Sequence, residues 1–308
     1  MLDFPINNVI ILGATGFVGT YTCEYFVSQG VAVTAVGRRA IPERLEKLEG
    51  LTYIQCDLDD IATLPELLEV RDSEGYDALI NLASRAISGE ARKDLRTQFQ
   101  NVYDTEAILK VCKQIGCGRI LCFGSIAERD MEQALHLQGV GSFMTNNYAL
   151  SKLATHYTSK ALAGDLGIDH LWLVLANIYG PQDPNQNFIN MVLTKCKNHE
   201  PLQFTSGVQN YDFVYATDVA RAIYDIARHG RPFYEYFVAS GGAKPLKEFI
   251  AQIIEAVAPD ASYELGSAPF MGVNLPLSAY DTSLTEADTG FRAEMDFIEG
   301  IRWTFARM

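Results

Sequence analysis

The stretch "ILGATGFVGT", residues 11–20, spaces Gly13, Gly16 and Gly19 three apart. This is G-x-x-G-x-x-G, a variant of the G-x-G-x-x-G dinucleotide fingerprint. Upstream, "NVIILG" (8–13) reads as a buried strand; downstream, a helix is expected over 17–29. In that setting the glycines have a physical purpose. Positions without a Cβ let backbone N–H groups and a helix N-terminus face a pyrophosphate. Gly13, Thr15, Gly16, Phe17, Val18 and Gly19 are therefore candidate cofactor contacts. The competing reading is a tight turn that only packs helix on strand.

Outward from the loop, "VAVTAVG" (31–37), "LTYIQCD" (51–57), "DALINLA" (77–83), "RILCFGS" (119–125) and "LWLVLAN" (171–177) are further apolar runs of strand length. Their unbroken apolar character is what a parallel sheet covered on both faces requires. Helices are expected between them at 17–29, about 61–71, about 91–115 and 147–163. The repeated β-α-β order predicts an α/β fold, a Rossmann-type doubly wound parallel sheet. After residue 178 "YGPQDPNQN" breaks the texture. Helices at 188–198, 217–229 and 245–257 then mix with strands near 202–204, 211–215 and 234–239. The expected division is a dinucleotide-binding domain over 1–178 and a smaller, mainly substrate-binding α+β domain over 179–308. A segment near 232–240 is a candidate to rejoin the main sheet.

The chain has 308 residues, 38 acidic and 25 basic, for a formal charge of −13. With no Lys/Arg block, nucleic acid is not an expected partner. "MLDFPINNVI" lacks the basic start and long apolar run of a secretory signal, and no run reaches membrane-span length. The expectation is a cytoplasmic protein. Cys23, Cys56, Cys112, Cys117, Cys122 and Cys196 form no C-x-x-C pair and read as reduced, mostly buried thiols. The histidines, at 136, 156, 170, 199 and 229, show no H-E-x-x-H spacing, so no metal is expected.

The second strand ends "AVGRRA". Where NAD-binding proteins often carry Asp or Glu for the ribose 2′-hydroxyl, this chain has Arg38 and Arg39. Two forked guanidiniums suit a 2′-phosphate, which favours NADP(H) and leaves NAD(H) as the second choice. After strand three, "CDLDD" offers Asp57 and the backbone of Leu58 as adenine contacts, with Asp59 and Asp60 expected to cap the next helix.

Six motifs, in order, carry a resemblance: "GATGFVG" (13–19), "NLAS" (81–84), "GS" (124–125), "YALSK" (148–152), "NIYGP" (177–181) and "YDFVYATDVARAI" (211–223). Together they resemble the extended short-chain dehydrogenase/reductase family of sugar-nucleotide epimerases, dehydratases and reductases. The resemblance covers nearly the whole chain. It implies a catalytic trio of Ser125, Tyr148 and Lys152, with Asn101 in support. The chemistry is sensible on its own terms. Tyr148 and Lys152 are i and i+4 on one helix face, which Asn146 or Asn147 is expected to cap and Gly164 to end. A tyrosine hydroxyl ordinarily titrates near 10, and an ammonium or cationic nicotinamide beside a phenol favours its ionised form. The resemblance also implies cofactor contacts at Leu82, Ala83, Ser84, Asn101, Tyr148, Lys152, Asn177 and Ile178, and substrate contacts at Ser125, Asn177, Phe188 and Tyr211. It places a possible homodimer surface on helices 91–115 and 147–163.

Departures from the family pattern bear on the reaction. Many relatives carry arginine where this chain has Val174 and Tyr211, so Arg85 is the candidate for a substrate diphosphate. Dehydratases usually follow the Ser/Thr with Asp-Glu; here Ile126 and Ala127 follow Ser125, which disfavours water elimination. The leading expectation is NADPH-dependent reduction of a nucleotide-linked 4-keto sugar. A 4-epimerase with tightly held cofactor, a reductase of a small non-nucleotide carbonyl compound, and a non-catalytic NADP(H)-binding regulator are the alternatives.

Overall fold

The computed structural model describes residues 2–40, 45–68, 75–135, 146–270 and 272–308. Its strands are β1 (Asn8–Leu12), β2 (Ala32–Gly37), β3 (Leu51–Gln55), β4 (Ala78–Asn81), β5 (Arg119–Ser125), β6 (Asp169–Leu175), β7 (Asn177–Tyr179), β8 (Leu202–Phe204), β9 (Asn210–Tyr211), β10 (Phe213–Tyr215), β11 (Glu235–Val238), β12 (Lys244–Pro245) and β13 (Tyr263–Leu265). The helices are α1 (Phe17–Ser28), α2 (Leu64–Leu68), α3 (Leu95–Gln114), α4 (Ala127–Leu135), α5 (Asn146–Leu166), α6 (Phe188–Lys197), α7 (Ala216–His229), α8 (Leu246–Val257), α9 (Ser283–Thr289) and α10 (Phe297–Phe305).

Seven strands form one sheet in the order β3-β2-β1-β4-β5-β6-β11. Every pairing in it is parallel. This is the Rossmann-type strand order with one strand added beyond β6. The apolar runs form these strands because helices cover both faces; in β6, Leu171, Trp172, Leu173 and Val174 are at most 1% exposed. The order reverses between β1 and β4, and there the loops after both strands meet: Leu82 N–H donates to Leu12 O at 3.0 Å. Open α/β sheets bind ligands at such a crevice.

A second apolar cluster gathers Phe204, Phe213, Leu246, Phe249, Ile250, Ile253 and Ile301 from β8, β10, α8 and α10. β11 returns from this region to pair with β6, Glu235 opposite Trp172 and Val238 opposite Leu175. α7 buries Val219, Ala220, Ala222, Ile223, Ile226 and Ala227 at helical spacing and packs on α1.

Several element boundaries differ from the sequence reading. The 91–115 helix is broken at Asp94, whose carboxylate accepts Thr97 N–H at 2.7 Å and caps α3. α5 runs past Gly164 to Leu166. It ends on Gly167 (φ 69°), with Gly167 N–H bonded to Gly164 O and Ile168 N–H to Ala163 O, a Schellman arrangement. "LWLVLAN" is divided: β7 begins at Asn177 and pairs with β10, outside the main sheet. The 61–71 helix is a 3-10 turn (Leu58–Thr63) followed by α2; residues 69–71 lie outside the described residues, as does His136. α4 was not anticipated. Among the described residues no helix is long and apolar enough to cross a membrane, and all six cysteines are buried and free.

Candidate active site

The glycine loop joins β1 to α1. Gly13 turns with φ 75°, and a Cβ there would lie 2.8 Å from Ala83 N. Gly16 is the N-cap of α1, without a side-chain cap and with no acidic residue in the first turn. The first N–H groups of α1 are thus left for an anion, which is what a dinucleotide pyrophosphate needs. Thr15, Phe17 and Val18 are half-buried around this turn.

Arg38 and Arg39 are exposed at the end of β2. Their main chain is held by Gln55 Nε2, which donates to Arg38 O at 3.1 Å, and by Tyr53 Oη, which donates to Gly37 O at 2.9 Å and Arg39 O at 2.5 Å. Asp57, half-buried with Leu58, accepts Asp59 N–H at 3.3 Å. Asp57 itself is therefore the cap of the following turn, in place of Asp59 or Asp60. The glycine turn and the free helix start fit a dinucleotide.

After β4, Leu82, Ala83 and Ser84 are half-buried beside the glycine loop. Asn101 from α3 accepts Ser84 Oγ–H at 3.2 Å and Arg85 N–H at 2.7 Å. Its Nδ2 points at Gln98 O and Arg85 O. The amide thereby fixes the loop. Arg85, the sequence candidate for a diphosphate, is committed elsewhere. Its Nε donates to Asp104 at 2.6 Å and its Nη2 to Asp59 at 2.8 Å. Both carboxylates thus engage the guanidinium that a diphosphate would meet.

Tyr148 and Lys152 stand on α5 above the end of β5. Lys152 Nζ donates to Phe123 O at 2.8 Å, two residues before Ser125, and keeps two further N–H groups. It lies 6.0 Å from the centroid of the Tyr148 ring, and the Arg92 guanidinium covers that ring at 3.9 Å. Ser125 Oγ accepts Ala127 N–H at 3.3 Å, which leaves its own proton to donate. Asn147 does not cap α5; its Nδ2 donates to Lys93 O at 2.9 Å. The Asn146 side chain lies outside the described residues.

Behind this trio lies a buried polar cluster that the sequence did not reveal. Glu128, 3% exposed, accepts Ser125 N–H at 2.7 Å and Trp172 Nε1–H at 3.2 Å. His156 Nδ1 is 3.5 Å from the same carboxylate, and its ring stacks on Trp172 at 4.4 Å. The one available signal was spacing: Tyr148, Lys152 and His156 recur every four residues. Nothing in "GSIAERD" announced that Glu128 would turn inward.

On the other side of the crevice, Asn177 Nδ2 donates to Asp212 O at 3.1 Å, with Ile178 half-buried beside it. Val174 is buried in β6. Tyr211 stacks on Phe213 at 5.7 Å, and Phe188 packs on Phe204 and Phe213. Burial, then the nearby Asp130 carboxylate, pushes the Tyr211 hydroxyl up. Asp130 is itself pushed up to about 6 by burial.

Residues 9–239 match the family described as "NAD dependent epimerase/dehydratase family". Over 315 residues, and the full length of both chains, the protein is 23% identical to CDP-abequose synthase of Salmonella typhimurium. Two solved structures at TM-scores of 0.80 and 0.77 share the fold. One is the UDP-N-acetylglucosamine 4-epimerase of Methanobrevibacter ruminantium in complex with UDP-N-acetylmuramic acid (22% identity, covering 98% of this chain and 97% of that one). The other is the Bordetella bronchiseptica enzyme WbmF in complex with NADH (20%, 98% and 92%).

Proposed function

Because the chain belongs to the NAD dependent epimerase/dehydratase family, we propose that it uses NADPH to reduce the keto group of a nucleotide-linked 4-keto sugar. The observation that carries this reading is the pair of exposed arginines, Arg38 and Arg39, at the end of β2. Their position suits a 2′-phosphate, and net reduction normally draws on NADPH. The full-length similarity to a CDP-abequose synthase supports a nucleotide-linked sugar.

Gly13, Gly16, Gly19, Thr15 and the start of α1 would hold the pyrophosphate, Arg38 and Arg39 the 2′-phosphate, and Lys152 the nicotinamide ribose. Bound NADPH supplies the hydride. Ser125 donates a hydrogen bond to the substrate carbonyl oxygen and orients it. Tyr148 gives its phenolic proton to that oxygen as the carbon is reduced, so C=O becomes CH–OH. Lys152 places a positive charge beside the phenol as the proton leaves.

The test is oxidation of NADPH by CDP- and dTDP-linked 4-keto-6-deoxyglucose, followed at the nicotinamide absorbance, with NADH as comparison. Turnover with either sugar and a preference for NADPH is expected. Protein that purifies with retained nicotinamide and interconverts C4 epimers without consuming it would replace this reading with a 4-epimerase. A second reading, reduction of a small carbonyl compound without a nucleotide, is favoured by one observation. Val174 and Tyr211 offer no cation, and Arg85 is already neutralised.

A further inference from the structure

The buried cluster behind β5 has more order than packing requires. We infer that Glu128 is a positioning residue, whose carboxylate fixes the Ser125 main chain and so aims the Ser125 hydroxyl into the crevice. The inference rests on the assignment of Ser125, Tyr148 and Lys152 as the reacting groups.

Two N–H donors converge on this carboxylate, one on each oxygen: Ser125 N–H on Oε1 and Trp172 Nε1–H on Oε2. A group that must accept from both sides is a carboxylate; an amide offers one acceptor and opposes the second donor with its own N–H. Buried charge persists only when hydrogen-bonded and balanced. His156 Nδ1 faces Oε2 at 3.5 Å and also lies 4.0 Å from Glu235, which pairs with Arg129 at 3.1 Å. Trp172 is held in turn by its stack on His156.

Gly124 belongs to the same device. A Cβ there would overlap both Glu128 Oε1 and the Trp172 indole, so the strand must lack a side chain immediately before Ser125. With its N–H held by Glu128 and its Oγ accepting from Ala127 N–H, Ser125 is fixed at both ends. Its O–H is the part left to meet substrate. Lys152 anchors the same strand two residues earlier, through Phe123 O. The strand end is thus clamped from α4 and from α5, one clamp on each side of Gly124.

The experiment measures kcat, KM and thermal stability for wild type, Glu128→Gln, Glu128→Gln/Trp172→Phe, Ser125→Ala and Ser125→Ala/Glu128→Gln, using NADPH and the keto sugars above. Loss of a hydrogen bond to a charged group predicts a fall in kcat on the order of tenfold or more for Glu128→Gln, with NADPH affinity nearly kept. Removing the indole donor frees the amide oxygen for Ser125 N–H, so the Trp172→Phe double variant recovers most of the loss. In the Ser125→Ala background the same change should cost little, because the effect runs through Ser125. An equal loss in both backgrounds, or no loss in folded Glu128→Gln, overturns the inference. The Ser125 amide proton, followed by NMR in 15N-labelled protein, gives a readout without substrate. It should move upfield in Glu128→Gln and return in the double variant, and an unmoved resonance overturns the inference. If wild type turns over none of the sugars, the reductase reading falls and the amide resonance alone decides Glu128.

Discussion

Tyr148 is met by two cations, the Lys152 ammonium 6.0 Å from its ring centroid and the Arg92 guanidinium over its face at 3.9 Å. In the proposed reaction this phenol is the proton donor. Tyr148→Phe keeps the ring and its contacts but removes the proton. It should lower kcat on the order of 10²–10⁴-fold, the usual contribution of a positioned acid, while NADPH titration by fluorescence shows near-normal affinity. Activity within a few-fold of wild type would remove Tyr148 from the reaction. For Arg38 and Arg39 the proposed role is recognition of a 2′-phosphate. The double change to Ala should weaken NADPH binding roughly 10- to 100-fold, as loss of charge-assisted bonds implies, and leave NADH binding nearly unchanged. Equal weakening of both cofactors would count against a 2′-phosphate site.

At the scale of elements, α1 is placed by how closely its first turn approaches the loop beneath it. Gly19 is buried, and a Cβ there would overlap Gly13 O and crowd Ala14. Gly19→Ala should therefore push α1 off the sheet. A loss of about 1–3 kcal/mol in chemical denaturation is expected, with weaker cofactor binding. Unchanged stability and binding would mean that the loop yields at no cost. The glycine loop, the sheet strands and most helices were legible in the sequence because local pattern encodes them: continuous apolar runs, 3.6-residue spacing and turn residues. Helix boundaries differed where the local sequence allows more than one cap. Asp94 bonded Thr97 N–H and split a helix, and Gly167 rather than Gly164 supplied the left-handed turn that ends α5. Glu128, His156 and Trp172 come from α4, α5 and β6, and no spacing within one segment joins all three.

At the scale of the whole molecule, Asp130 on α4 sits near Tyr211 of β9 and Tyr280, where the sheet meets the second cluster. Burial raises its pKa from the ordinary value to about 6. Between about 3.9 and 6 the native protein therefore holds a proton that the unfolded chain has released. Stability from this group is full below about 4, declines as pH rises to about 6, and stays reduced above it. Asp130→Asn should raise stability by on the order of 1–2 kcal/mol at pH 8 and by much less at pH 4, read by thermal denaturation at both. An equal gain at the two pH values would place the effect outside ionisation.

By itself the sequence determined the doubly wound sheet, the dinucleotide loop and the alignment of Tyr148 with Lys152, because each depends on residues close together along the chain. Only the tertiary structure decided which charges are paired and which lie exposed. Arg85 lost its freedom to Asp59 and Asp104, 26 and 19 residues away, while Arg38 and Arg39 stayed exposed. The fixing of Ser125 by an inward-turned glutamate and a strand-six indole was likewise decided in space. Burial and pairing depend on what the fold brings alongside, and a carboxylate's role follows from the donors it meets.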